Sequence, residues 1–323
     1  MEAIRTDALT KHYPVGFWRQ RSYVALDALT IDVRQGEVFG FLGPNGAGKT
    51  TTLKLFMQLT YPSSGSAEIL GRPVGDVSVK RRIGYLPENP YFYDYLTAEE
   101  LLRYFAGLFG YTAADRRRRV AALLDEVGIG AERRLQLRKF SKGMLQRVGI
   151  AQAIINDPEV VFFDEPMSGL DPMGRREIRE LILRLRNRGC TVFFSSHVLS
   201  DAEALCSRVA ILVAGRLAAA GELSEILAFK ALGWELVVGG LDDAVLETAK
   251  ASGHIERATP LGGRRYALHL PPSVAPDRLV ADLVSQGAEL VSVNPIRETL
   301  EDFYVRQIGA VPHDRGLAAA LNS

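Results

Sequence analysis

Residues 43–50 read Gly-Pro-Asn-Gly-Ala-Gly-Lys-Thr, a run whose spacing fits G-x-x-x-x-G-K-[ST]. Gly43, Gly46 and Gly48 let backbone N–H groups close around anionic oxygens, with Pro44, Asn45 and Ala47 carrying the loop between them. Lys49 then supplies a mobile positive charge to the β- and γ-phosphates of a nucleotide, and Thr50 supplies a hydroxyl to Mg²⁺, with Thr51 beside them. The flanks give the loop its context. Glu37–Leu42 is a short apolar strand, and Thr51–Thr60 carries apolar residues at helical spacing. A strand, a glycine loop and a helix whose N-terminus faces the loop make an anion site. The expected ligand is a nucleoside triphosphate.

Two carboxylates follow on a second strand, Val160-Val-Phe-Phe-Asp164-Glu165. Asp164 at the strand's end is placed to hold Mg²⁺, directly or through water, beside Thr50. Glu165 is then placed to polarise the attacking water as general base. His197 follows the strand Thr191–Ser195, which in a parallel sheet ends on the same edge as the phosphate loop. From there it can donate to the γ-phosphate. In Phe140-Ser-Lys-Gly-Met-Leu-Gln-Arg147, Ser141 and Gly143 stand just ahead of a helix and form a second anion-binding N-terminus. One triphosphate does not easily need two such ends from one chain. The second is read as serving a partner subunit's nucleotide.

The elements that must position these groups are legible in part. Ala3–Leu9 and Tyr23–Val33 alternate as half-buried strands, with Tyr13–Arg21 expected as a loop. Thr97 and Glu100 form a capping-box pair ahead of one helix, and Val120, Leu123, Leu124 and Val127 mark a second that stops at Gly128. The run Arg116–Arg119 lies in that helix and is expected as a solvated face. Asp171, Pro172 and Gly189 read as N-cap, first residue and stop of a helix over 172–188. Strands alternating with helices indicate a parallel sheet. Val209–Val213 and Leu217–Ala220, joined through Gly215, read as a hairpin. Beyond Lys230 the expected order is β-α-β-β-α-β, a ferredoxin-like split unit, followed by a helix Glu298–Ile308. The expected divisions are a nucleotide domain over 1–229 with a helical part at about 90–155, an accessory domain over 230–310 and a tail over 311–323.

Bulk composition narrows the classes. The 323 residues carry 39 Lys and Arg against 38 Asp and Glu, a formal charge of +1, which offers no reason to expect nucleic acid as a partner. Cys190 and Cys206 are the 2 cysteines, both in apolar surroundings, and are read as small core residues suited to a reducing cytosol. The N-terminus lacks signal-peptide blocks, and no window reaches the roughly 18 apolar residues of a membrane span. A cytoplasmic protein that meets a membrane only through a partner is expected.

With the phosphate loop, Glu88 in Gly-Tyr-Leu-Pro-Glu, Ser141–Gly143, Asp164-Glu165, Ser168-Gly-Leu-Asp171 and His197 in that order, the chain closely resembles the ATP-binding cassette (ABC) ATPases of membrane transporters. The resemblance implies an α/β P-loop fold and a head-to-tail dimer in which each Mg·ATP lies between one chain's phosphate loop and the other's Ser141, Lys142 and Gly143. It implies that Glu88 stands at the metal-coupling position and that Asp171, in the D-loop Ser168–Asp171, belongs to the nucleotide site. It further implies that Tyr13 stacks on adenine, with Phe17 and Trp18 as rivals, and that a helical surface meets an integral-membrane permease. Three motifs depart from the family pattern: in the signature Phe140, Lys142 and Met144 replace Leu, Gly and Gln, Glu88 replaces an amide, and beside Ser168–Asp171 Met167 replaces a frequent Thr. Residues 230–310 are similar to the C-terminal extension of cassettes that serve exporters of drugs, polysaccharides or lipids, with Glu298–Tyr304 resembling its closing segment. The implied function is ATP hydrolysis driving a separate permease on the inner face of the membrane. The alternatives are a nucleic-acid or ribosome ATPase and a regulatory or cell-division cassette.

Overall fold

The computed structural model describes residues 1–15, 21–226 and 232–296. The chain divides into two compact units, Met1–Leu223 and Ser224–Ser323.

The first unit begins with β1 (Glu2–Val15), which pairs antiparallel with β2 (Arg21–Leu29) and, through its first residues, with β3 (Asp32–Arg34). Where it is described, at Tyr13–Val15 and Arg21, the expected loop is strand, and Tyr13 stands directly opposite Tyr23. The ladder from β1 to the strand on its other side ends at Thr10, after which the His12 N–H donates to Ser63 Oγ, so among the described residues the missing N–H of Pro14 leaves no ladder bond unmade. The expected strand Tyr23–Val33 breaks where the Ile31 N–H donates to Thr6 Oγ1 at 2.9 Å, separating β2 from β3.

β4 (Val38–Leu42) runs into the glycine loop and α1 (Lys49–Phe56). This helix stops four residues short of Thr60. Lys80 Nζ takes the Met57 carbonyl at 2.7 Å, and Gln58 turns to a φ of 55°. β5 (Ser64–Ile69) and β6 (Arg72–Pro73) complete the antiparallel sheet, and α2 (Val77–Lys80) leads to β7 (Ile83–Leu86). α3 (Ala98–Leu108) carries the full capping box between Thr97 and Glu100. α4 (Ala113–Glu126) buries Val120, Leu123 and Leu124, and the chain turns at Gly128 with a φ of 71°. Its arginine run is only half a solvated face. Arg117 and Arg118 are exposed, but Arg119 donates to the carbonyls of Ile154 and Ile155 at 2.8 and 3.1 Å. Those carbonyls stand at the negative end of the next helix's dipole, where a cation is favoured, and they also accept from the Asp157 N–H and the Tyr111 hydroxyl.

That next helix is α5 (Lys142–Ala153), followed by β8 (Val160–Asp164), α6 (Pro172–Asn187), β9 (Thr191–Ser196) and α7 (Leu199–Leu205). β10 (Arg208–Val213) and β11 (Arg216–Glu222) close the unit, and α8 (Leu223–Ile226) starts at its last residue. Ala214 and Gly215, at φ 48° and 80°, make the two-residue hairpin turn that matches strand twist. The central sheet has the order β11-β10-β4-β9-β8-β7, all parallel except β11. Every residue of β4, β8, β9 and β10 is buried, as expected of a parallel sheet covered on both faces. Phe193 stacks on Phe39 at 5.7 Å and meets Phe41, Phe56 and Phe162 at 5.3, 5.6 and 5.8 Å. This one ring ties β4, β8 and β9 to α1. Burial also holds both thiols protonated, with Cys190 pushed up to about 12 and Cys206 raised as well.

The second unit runs β12 (Gly233–Gly239), α9 (Asp243–Ala251), β13 (Arg257–Gly262), β14 (Arg265–Leu270), α10 (Pro276–Ser285) and β15 (Glu289–Ile296). Its antiparallel sheet has the order β13-β14-β12-β15, the split βαβ arrangement of the ferredoxin-like fold. Leu236, Val238, Leu268 and Leu270 of the sheet share a core with Leu246, Leu279 and Leu283 of the helices. The expected helix Glu298–Ile308, the segment Glu298–Tyr304, the tail 311–323, Phe17 and Trp18 lie outside the described residues.

Each unit encloses its own core, so deletion of residues 231–323 is expected to leave a folded protein that binds ATP. Circular dichroism and calorimetry check this; an insoluble or unfolded truncation contradicts it.

Candidate functional site

The phosphate loop is shaped by two close approaches. A Cβ on Gly43 would stand 2.4 Å from the Leu212 carbonyl, and one on Gly48, where φ is 104°, would stand 2.4 Å from that of Ala25. Only glycine fits either place. Lys49, just inside α1, is 6% exposed and turns back along the loop. Its Nζ donates to the carbonyls of Gly43 and Pro44 at 2.7 and 3.2 Å and lies 3.2 Å from Glu165 Oε1.

The parallel register brings the other groups to the same edge. Leu42 at the end of β4 pairs with Ser196, and Asp164 at the end of β8 pairs with Ser195. Ser195 holds both carboxylate residues. Its hydroxyl donates to Asp164 Oδ1 at 2.6 Å and accepts from the Glu165 N–H at 3.0 Å. Glu165 is buried and left-handed, with a φ of 49°, which is costly for a residue with a side chain. Its Oε2 meets His197 Nδ1 at 2.9 Å. A carboxylate only accepts, so Nδ1 carries the proton. Oε1 is buried and has no hydrogen-bond partner among the described residues; the Lys49 contact is an ion pair without hydrogen-bond geometry. One oxygen of Glu165 is therefore committed to His197, and the other is left to accept a proton.

A cavity of about 390 Å³ opens over the loop. Of the residues expected to bind nucleotide, Asn45, Gly46, Ala47, Gly48, Thr50 and Thr51 line it, together with Lys49 and Glu165. Tyr13 and the exposed Glu88 line it from other elements. Gly43 and Pro44 reach it only through Lys49, and Asp164 and His197 through Ser195 and Glu165. The remaining expected residues are elsewhere. Ser141 caps α5, accepting from the Met144 N–H at 3.3 Å, and Asp171 caps α6, accepting from the Gly174 N–H at 2.9 Å. These two starts are neighbours: a Cβ on Gly143 would stand 3.6 Å from Leu170, and Lys142 Nζ lies over Gly169.

Two lining or bracing residues escape the sequence reading. Tyr23 is 51% exposed in the cavity wall beside Tyr13, whose ring carries Lys11 Nζ at 4.9 Å from its centroid. Nothing local marks Tyr23, because only strand pairing brings it to Tyr13. Ser195 had a signal, a hydroxyl at the end of the apolar strand Thr-Val-Phe-Phe.

The sequence profile of the ABC transporter family matches residues 26–168. An uncharacterised ABC transporter ATP-binding protein of Synechocystis sp. is 46% identical over 319 residues, covering 98% of this chain and 86% of that one. The chain belongs to the ABC transporter ATP-binding proteins. The bacitracin transport ATP-binding protein of Bacillus licheniformis is 35% identical over 310 residues, covering 95% of this chain and 97% of its own length. A solved ATP-binding subunit of an ABC transporter superposes with a TM-score of 0.61 at 28% identity, over 87% of this chain and 99% of that one. A dimeric cassette bound to ADP and Pi shares the fold, with a TM-score of 0.63 at 24% identity over 68% of this chain and 98% of that one. The cassette is an ATP-binding ATPase, and its P-loop fold is that of the family.

Ser195→Ala removes a bond to Asp164 and leaves the buried Glu165 N–H unpaired, at a cost of about 1–3 kcal/mol. Chemical denaturation should show that loss, and ATPase activity should fall with it. Unchanged stability and turnover would contradict the bracing role.

Proposed function

We propose that this cassette hydrolyses Mg·ATP as the energy-coupling subunit of an export-type ABC transporter, acting as a head-to-tail dimer beneath a separate membrane permease. The observation that carries the reading is Glu165: buried, tied to His197 through Oε2, and with Oε1 beside the phosphate loop, ion-paired with Lys49 but accepting no hydrogen bond among the described residues. A water at Oε1 attacks the γ-phosphorus; its O–P bond forms as the bond to the β–γ bridging oxygen breaks. The proton passes to Glu165, and ADP and phosphate leave. Lys49 exchanges its ion pair with Glu165 for the β- and γ-phosphate oxygens, which frees the base as substrate settles.

Thr50 and Asp164 offer hard oxygen ligands, and no cluster of three or more His, Cys, Asp or Glu exists among the described residues. That donor set suits Mg²⁺, which keeps waters and takes the rest of its shell from phosphates. When bound, the ion neutralises charge on the β- and γ-oxygens. Ser141 and Gly143 lie outside the cavity at the start of their own helix, which supports their serving the nucleotide of a second copy. Among the described residues no helix is long and apolar enough to cross a membrane, consistent with a separate permease. Export is supported by relatives whose names give bacitracin transport and linearmycin resistance as their roles.

Lys49→Ala should abolish most ATP binding in calorimetry, since it deletes the cation of the loop. Glu165→Gln should instead bind Mg·ATP, stop turnover and accumulate as a dimer in light scattering. ATP hydrolysis by Glu165→Gln at the wild-type rate would remove Glu165 as the base.

A further inference from the structure

His197 is fixed from its far side by residues the reaction itself does not use. Two residues beyond it the chain enters α7, whose N-cap, Val198, supplies no side-chain cap. Ser196 Oγ accepts from the Val198 N–H at 3.0 Å, and the Asp201 N–H donates to the Val198 carbonyl at 3.3 Å. Asp201 lies in the first turn of α7 and is 2% exposed. Its carboxylate meets two arginines of α6. Arg179 Nη2 donates to Oδ1 at 2.7 Å, and Arg175 Nη1 stands 3.9 Å from Oδ2. Four residues apart, the two arginines share one face of their helix.

α6 starts just after the turn that follows Glu165, in which the Ser168 N–H donates to the Glu165 carbonyl at 3.1 Å. The contacts therefore close a ring. It runs from Glu165 through that turn and α6 to Asp201, then through α7 to His197, and back to Glu165 by the 2.9 Å bond. Stability is a poor reason for this arrangement. A buried ion pair seldom returns more than its desolvation costs, and apolar residues of the same volume would hold two helices together as well. The clasp also strands Arg179 Nε, which is buried with no hydrogen-bond partner among the described residues. What a charged, hydrogen-bonded pair adds over apolar packing is a single register between the two helices.

We infer that Asp201 is a positioning residue for hydrolysis: its clasp on Arg175 and Arg179 sets the start of α7 and so holds His197 Nδ1 on Glu165. The inference rests on the reading of Glu165 as base and His197 as its partner. The phosphate loop lies outside the ring, so the loss should appear in turnover and not in affinity.

The test compares Asp201→Asn, Asp201→Glu, Arg179→Gln and His197→Ala in the full chain. Asp201→Asn should lower kcat about tenfold while KM for ATP stays within about twofold, because a small misplacement of a reacting group costs rate first. Asp201→Glu should recover most of that loss, and the ¹⁵N resonance of His197 Nδ1 should shift in Asp201→Asn and return in Asp201→Glu. Arg179→Gln, at a position 31% exposed, should show the same split and carries the test if Asp201→Asn does not fold. Wild-type kcat in Asp201→Asn and Arg179→Gln, or an affinity loss as large as the rate loss, overturns the positioning role. If His197→Ala turns over at the wild-type rate, the fault lies in the reading of the site. If His197→Ala is inactive while Asp201→Asn is not, the fault lies in the inference alone.

Discussion

Three parallel strands ending level with one another are what the site depends on. Leu42 beside Ser196, and Asp164 beside Ser195, put the phosphate loop, both carboxylates and His197 on a single edge of the sheet. A slip of one residue in β8 would turn its side chains to the opposite face. The register is held by the rings around Phe193, which reach both neighbouring strands and α1. Losing such a ring costs roughly 3–5 kcal/mol in a packed core. The apolar layer is thus the jig on which the polar groups are mounted.

On that edge, charge is arranged against local stability. Lys49 and Glu165 form an ion pair with only 6% and 8% exposure, a contact that contributes little net stability after desolvation. Glu165 also holds a left-handed backbone, worth of the order of 1–3 kcal/mol in strain for a residue with a side chain. Ser195 offsets part of this by accepting from the Glu165 N–H while it braces Asp164. The result is a carboxylate whose two oxygens have different partners. Oε2 is fixed by His197, and Oε1 faces the Lys49 ammonium.

Much of this was legible in the sequence because it is local. The phosphate loop, the Thr97–Glu100 capping box, the Asp171–Pro172 helix start and the Gly215 hairpin are each written within a few residues, and the structure shows the last three in place. The β-α-β-β-α-β order of the second unit followed from changes of period and turn residues. What stayed hidden is made by pairing at a distance. Tyr23 faces Tyr13 only because β2 folds back on β1, Arg119 finds its acceptors at the end of α5, and Asp201 is bridged to α6 across 22 residues of chain. The early end of α1 is of the same kind, set by Lys80 reaching Met57 from another element.

The account's central claim is that the place of the Glu165 carboxylate matters, and not merely its charge. Glu165→Asp keeps the charge and withdraws the carboxylate by one carbon–carbon bond, about 1.5 Å. Steady-state kinetics on this variant test the claim most directly. The account predicts that kcat falls about a hundredfold or more, while Mg·ATP binds as tightly as to the wild type. A kcat within about threefold of the wild type would contradict it, because a shift of that size should cost far more.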